Sequence, residues 1–302
     1  VVTWGDSTAG ADSSSVSSEL SSGVKEIYSN TWAFAALKED GSVVTWGSSA
    51  DGGDSSSVSD QINSGVVQLF SSNTAFAALK NDGSVVTWGN YGGNWSAFEP
   101  KLSSGVIKVF SCSFGFTALK DDGSVVIPLG SSPDTVKSLL KSNVRDIFST
   151  ATAFAAIKDD GSVVAWSHPG WELGNGGEVD SVSNSLKSGV VFIYSTYKAF
   201  AALKNDGSVV TWGRGTYGGD SSSVSSSLNS GVSKIFSSGQ AFAALKNDGS
   251  VITWGCIDVE PLSGSEFDTP YPIDGVTFHE DLILFGDVKH LLQETVSDIF
   301  TS

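Results

Sequence analysis

One phrase, written again and again along the chain, governs what it can fold into. A stretch of the type GV-x-x-I-F/Y-S has its valine at Val24, Val66, Val106, Val144, Val190, Val232 and, in looser form, Val296. Nine residues after each of the first six comes AFAALK or a close variant, opening at Ala33, Ala75, Gly115, Ala153, Ala199 and Ala241. A segment of the type DGSVVTWG follows, with its first glycine at Gly41, Gly83, Gly123, Gly161, Gly207 and Gly249. The first five residues, Val1 to Gly5, read as the end of a seventh copy. Successive valines lie 42, 40, 38, 46, 42 and 64 residues apart. Joining the tail to the head leaves the last repeat 12 residues short of 42. Repeats of this length mark solenoids, propellers or arrays, and the chain reads as one turn of a seven-membered cycle cut inside a repeat.

Three segments of each repeat have strand character. The first is short, rich in β-formers and ends near an aromatic residue: Tyr28, Phe70, Phe110, Phe148, Tyr194, Phe236 or Phe300. The second and third are joined by an Asp-Gly turn, a strong hairpin signal because glycine accepts positive φ at little cost. Both are nearly all apolar rather than alternating, so both faces of the sheet must be covered. Blades stacked radially around an axis achieve that, with the alanine-rich second strand suited to the crowded space near the axis. The fourth segment is a serine-rich run with apolar residues four apart, such as Val16 and Leu20 or Val58 and Ile62. That spacing fits an outer strand or a single helical turn. The expectation is an all-β, seven-bladed β-propeller with four-stranded blades. It is a single domain over 1–302, its ring closed by strands from both chain ends, with the closing blade shared by 1–23 and 288–302. An acidic, proline-containing insertion occupies 256–283.

Composition narrows the function. Net charge is −16, with 17 basic and 33 acidic residues. Only Arg145 and Arg214 are arginines, which argues against nucleic acid, since phosphate backbones reward clustered cations. A neutral or basic protein partner suits the charge better. The longest apolar runs are a few residues, too short to span a bilayer. The opening in mid-phrase suggests an excerpt of something longer. No cofactor motif, nucleophile elbow or phosphate loop is present, and His168, His279 and His290 lack zinc spacing. Cys112 and Cys256 fall nearly opposite in the cycle and are expected to be free thiols.

The phrase GV-x-x-I-F-S followed by AFAALK-x-DGSVVTWG resembles the repeat of the regulator of chromosome condensation family, over nearly the whole chain outside 256–283. The resemblance implies a seven-bladed propeller and a protein-binding role. Nucleotide exchange on a small GTPase and chromatin docking, known in that family, are not carried over: the repeats here are shorter, the chain is acidic and it has no basic tail.

Recognition is expected at two places. Between first and second strands lies a loop of constant length and shifting sequence, a common way of building binding surfaces. Its candidate contact residues are Trp32, Asn73, Phe114, Tyr197, Lys198 and Gln240. The insertion contributes Asp258, Glu260, Glu266, Asp268 and Asp274; these lack the regular aspartate spacing of a calcium loop, so no metal is assigned. Lysines at 38, 80, 120, 158, 204 and 246 ring the opposite rim beside the turn aspartates, either as a charged surface or as solvated turn chemistry. The tryptophans of the Trp-Gly pairs read as core anchors, and Asp12, Asp54, Asn94, Glu178 and Asp220 as caps or turn locks. One third strand breaks the pattern with Pro128-Leu129 and is expected to have a weaker outer edge. The functional expectation is a non-enzymatic protein-interaction scaffold, with a glycan-binding propeller as the alternative and a nucleotide-exchange factor as the remotest reading.

Overall fold

A computed structural model describes residues 1–90, 99–127, 134–167 and 176–255. Among them are six three-stranded antiparallel sheets, each in sequential strand order. The first holds β1 (Val24–Ser29), β2 (Ala33–Lys38) and β3 (Val43–Gly47), and the second β4 (Val66–Ser71), β5 (Ala75–Lys80) and β6 (Val85–Gly89). The third holds β7 (Val106–Cys112), β8 (Gly115–Lys120) and β9 (Val125–Val126), and the fourth β10 (Val144–Ser149), β11 (Ala153–Lys158) and β12 (Val163–Ser167). The fifth holds β13 (Val190–Ser195), β14 (Ala199–Lys204) and β15 (Val209–Gly213), and the sixth β16 (Val232–Ser237), β17 (Ala241–Lys246) and β18 (Val251–Gly255).

Where a fourth strand was expected, the described residues form helical turns. These are α1 (Ser59–Ile62), α2 (Glu99–Leu102), α3 (Asp134–Leu139) and α4 (Ser225–Leu228), with 3-10 turns at Ser14–Val16, Ser56–Val58 and Ser222–Val224. The local chemistry explains the choice. The carboxylates of Asp12, Asp54 and Asp220 accept hydrogen bonds at 2.9 Å from the amides of Ser14, Ser56 and Ser222, starting a turn rather than a strand. Within the turn the four-residue apolar spacing becomes a backbone bond, as from Leu20 N–H to the Val16 carbonyl at 3.1 Å. Leu20, Ile62, Leu102, Leu140, Leu186 and Leu228 are thereby buried. The turn also covers a sheet edge: Val125 and Val163 of β9 and β12 donate to the carbonyls of Leu140 and Leu186 at 2.9 Å.

The second strand is the middle strand of each described sheet. The first strand of each sheet lies beside the first strands of its neighbours and against the second strand of the sheet before it. Alanine suits the middle strand because both its faces are covered. Ala33, Ala35 and Leu37 pack with Val66, Leu69, Phe76 and Ala78 of the second sheet, whereas Ala36 packs with Leu20 and Trp46 on the other face. Small side chains let neighbouring sheets approach closely at native density. Backbone bonds reinforce the stacking: the amides of Val66, Val106, Val144, Val190 and Val232 donate to the carbonyls of Gly41, Gly83, Gly123, Gly161 and Gly207 in the preceding sheet, at 2.9–3.0 Å.

Trp46, Trp88, Trp166, Trp212 and Trp254 are buried core anchors, four of them with a second task, whereas Trp4, read as an anchor too, is 84% exposed and lies in no strand, so that reading is corrected. Trp46, Trp88, Trp212 and Trp254 stack on Phe34, Phe76, Phe200 and Phe242 with ring centroids 5.2–5.6 Å apart. Each indole N–H also donates to the carbonyl of a glycine 36 residues earlier, Gly10, Gly52, Gly176 or Gly218, at 2.9–3.0 Å. The bond ties each sheet to the linker that precedes it. The departing third strand is short: β9 has 2 residues against 5 in β12, and it stops before Pro128, which itself lies outside the described residues.

Candidate interaction surface

The connection between first and second strands has three positions, the first of which closes β7 in the third sheet, and the structure gives each a different job. The first position builds the turn. Its oxygen accepts from the amide three residues on: Asn30 Oδ1 from Ala33 at 2.7 Å, and Thr150, Thr196 and Ser238 from Ala153, Ala199 and Ala241 at 3.1 Å. A short side chain with an acceptor oxygen does this in these four loops; in the third sheet the position is Cys112.

The second position joins sheet to sheet. Thr31 N–H donates to the Asn73 carbonyl at 3.2 Å, Asn73 to Ser113 at 3.0 Å and Ser113 to Ala151 at 2.8 Å. Ala151 then donates to Tyr197 at 3.0 Å, and Tyr197 to Gly239 at 2.9 Å. Six loops are thus strung on one backbone ladder. Backbone groups carry it, so side chains there vary without affecting it, whereas an inserted residue would break it. That is why the length is constant and the sequence is not.

The third position is left to vary. It holds Trp32, which is 43% exposed, Gln240, which is exposed, and Phe114 and Lys198, which are half-buried. Four of the six candidate loop residues therefore share one place, while Asn73 and Tyr197 sit on the ladder one residue earlier. Lys198 is held over an aromatic pair: its Nζ lies 5.5 Å from the ring centroids of both Tyr197 and Tyr217, themselves 6.2 Å apart. Tyr217 belongs to the following linker and was not among the residues expected from sequence. A signal existed in the repeat. Thr196 bonds the Tyr217 carbonyl at 2.8 Å as Asn30 bonds that of Asp51 at 2.7 Å, both across 21 residues.

The opposite rim is structural. Lys80, Lys158, Lys204 and Lys246 donate to the carbonyls of Gln61, Leu139, Ser185 and Ser227 at 2.6–3.0 Å, each 19 residues earlier; Lys120 reaches Lys101 O and Lys38 reaches Glu19 O in the same manner. They cap the carbonyl ends of the helical turns, where a cation also complements the local dipole. The turn aspartates accept from the serine two residues on, as Asp82 does from the Ser84 amide and hydroxyl at 2.9 and 2.6 Å. These bonds hold the Asp40, Asp82, Asp122, Asp160, Asp206 and Asp248 carboxyls below the usual carboxylate range.

Asp258, Glu260, Glu266, Asp268, Asp274 and Cys256 lie outside the described residues, as does Asn94. Cys112 is buried and unbridged, and burial pushes its thiol up to about 12, where it is a packing residue rather than a nucleophile. Among the described residues no group of three or more His, Cys, Asp or Glu is placed to hold a metal ion, and no helix is long and apolar enough to cross a membrane.

No family model matches the chain, and no curated protein does. Solved structures similar to it include the ectodomain of the receptor kinase CR4 from Physcomitrella patens, at 14% identity and a TM-score of 0.42, covering 77% of this chain and 63% of that one. The CRINKLY WD40 ectodomain of the Arabidopsis thaliana receptor kinase ACR4 is 13% identical with a TM-score of 0.37, over 77% of this chain and 79% of that one. Prp20p from Saccharomyces cerevisiae is 17% identical with a TM-score of 0.35, over 78% of this chain and 57% of that one. Likeness at this level assigns neither a family nor a function.

Proposed function

We propose that the chain is a seven-bladed β-propeller acting as a non-enzymatic protein-interaction scaffold. Partners are bound through the third-position side chains of the strand-connecting loops, Trp32, Phe114, Lys198 and Gln240 foremost. The observation that carries this reading is the division of labour in those loops: one position makes the turn, one makes the ladder, and the third carries side chains that differ in type and exposure, from Trp32 at 43% to Thr152 at 4%. Aromatic residues free to vary on a rigid frame are what interface anchors are made of.

The seventh blade is assigned to 288–302 together with 1–23, although the described residues 1–23 hold 3-10 turns and no strand. Two open faces support it. Ile27 of β1 is 43% exposed, whereas its counterparts Leu69, Val109, Ile147, Ile193 and Ile235 are at most 2% exposed. Phe236 of β16 is 39% exposed, whereas Phe70, Phe110 and Phe148 are at most 8%. A seventh sheet between them would cover Ile27 and Phe236 as neighbouring sheets cover their counterparts.

Affinity capture from the native source with the 302-residue chain, compared with a Trp32→Ser, Phe114→Ser, Gln240→Ser triple variant of unchanged circular dichroism, tests the scaffold reading. Partners lost with the variant support it; an identical set of captured proteins refutes the loop assignment.

A further inference from the structure

Every first strand carries one residue out of register with its partner strand. Lys25, Val67, Ile107, Arg145, Val191 and Ser233 each sit at the point where the pairing skips. A bulge leaves its extra residue unpaired and re-aims its side chain. All six are exposed, and three are aliphatic: Val67 at 46%, Ile107 at 57% and Val191 at 45%. Buried valines precede five of these six bulges, from Val66 to Val232, so the fold is secured beside the bulge and not at it.

The next residue in each strand also changes type from sheet to sheet: Glu26, Gln68, Lys108, Asp146, Phe192 and Lys234. Because first strands neighbour one another, the two positions form a continuous double row across six sheets. Side chains bridge it in places. Lys108 Nζ lies 3.3 Å from the Asp146 carboxylate, the Arg145 guanidinium donates to the Val191 carbonyl at 3.2 Å, and Phe192 meets Phe148 edge-on at 4.8 Å. Its charges are Lys25, Lys108, Arg145 and Lys234 against Glu26 and Asp146. In a chain of net charge −16, this row is locally basic and carries exposed aliphatic residues between its cations.

We propose that the double row is a docking surface for an extended acidic protein segment. Its aliphatic side chains settle on Val67, Ile107 and Val191, and its carboxylates meet Lys108, Arg145 and Lys234. The inference rests on the scaffold reading and adds a second surface with its own chemistry. It also qualifies the expectation of a basic partner. Net charge acts at a distance and is screened beyond about 8 Å at physiological salt, so groups in contact decide what binds. Complementary charge then sets register and specificity more than affinity, and the aliphatic contacts supply the burial.

Fluorescence anisotropy on the 302-residue chain tests this, using a labelled peptide of roughly 12 residues that alternates glutamate with valine, long enough at about 3.3 Å per residue to cross several strands. The glutamate peptide is expected to bind, and the same peptide with lysine for glutamate is not. Lys108→Glu with Lys234→Glu should weaken binding about 10-fold or more, as should Val67→Ser with Ile107→Ser, while Asp60→Asn leaves it unchanged. Equal binding of the two peptides, or row variants that bind as tightly as the parent, overturns the proposal. Weakening by Trp32→Ser alone transfers the site to the loops, which overturns this surface and leaves the scaffold reading standing.

Discussion

The amide of Asn73 donates to the carbonyl of Ser113 at 3.0 Å, across 40 residues and from one sheet to the next. Neither side chain takes part. The same bond recurs with threonine, alanine, tyrosine and glycine in these places, which makes the ladder a property of loop length and not of residue type. Recognition can therefore evolve in the adjacent position without loosening the stack.

The ladder is tested by removing one rung. Ser113→Pro deletes the amide that reaches Ala151 at 2.8 Å. It should destabilise the protein by about 1–3 kcal/mol, the cost of a buried acceptor left without its donor. Ser113→Asn and Ser113→Thr should stay within about 0.5 kcal/mol. Urea denaturation of the three variants checks the contrast; equal losses would mean that the side chain matters and the ladder does not.

Two glycines should respond very differently to a methyl group. Gly52 has φ +98°, and a Cβ there would come within 2.7 Å of the Phe76 ring. Gly52→Ala combines left-handed strain of about 1–2 kcal/mol with overpacking of about 1–3 kcal/mol. Gly239 has open space around its would-be Cβ, and Gly239→Ala is expected within about 0.5 kcal/mol of the parent. Thermal melts of both variants decide the matter.

The indole of Trp212 stacks on Phe200 at 5.2 Å and bonds the Gly176 carbonyl at 2.9 Å. Trp212→Ala should cost about 3–5 kcal/mol through the cavity it leaves. Trp212→Phe keeps an aromatic ring and loses the donor, so about 1–3 kcal/mol is expected. A phenylalanine variant as stable as the parent would remove the linker bond from the account of how sheets are tied together.

Acid should weaken the hairpin turns together. Their carboxyl groups titrate below the ordinary value because Ser42, Ser84 and their equivalents donate to the charged form. A depressed folded pKa means a contribution fully present above the unfolded value of about 3.9 and lost as pH falls through the lower folded value. The melting temperature is therefore expected to drop below about pH 4. The drop should be shallower in an Asp82→Asn, Asp160→Asn, Asp206→Asn variant, whose amides accept the same bonds without titrating. Parallel pH profiles would assign the acid sensitivity elsewhere.

Strand positions, the Asp-Gly hairpins and the anchoring role of tryptophan were all legible in the residues, because each is decided within about a dozen neighbours: turn chemistry at Asp82-Gly83, continuous apolarity at Ala75 to Leu79, register from one repeat to the next. The serine-rich run was legible only as an alternative, since its four-residue spacing serves strand and helix alike. The Asp54 carboxylate on the Ser56 amide, at 2.9 Å, makes it a turn.

Other features belong to the tertiary structure alone. That the alanine strand is the middle one, that Lys80 caps a carbonyl 19 residues away, and that Val67, Ile107 and Val191 stand out at bulges all depend on which strands come to lie side by side. Periodicity along a chain reports what each residue tends to do beside its neighbours. Packing between sheets sets which backbone groups are left to bond across the gap, and with that, which side chains are left to vary.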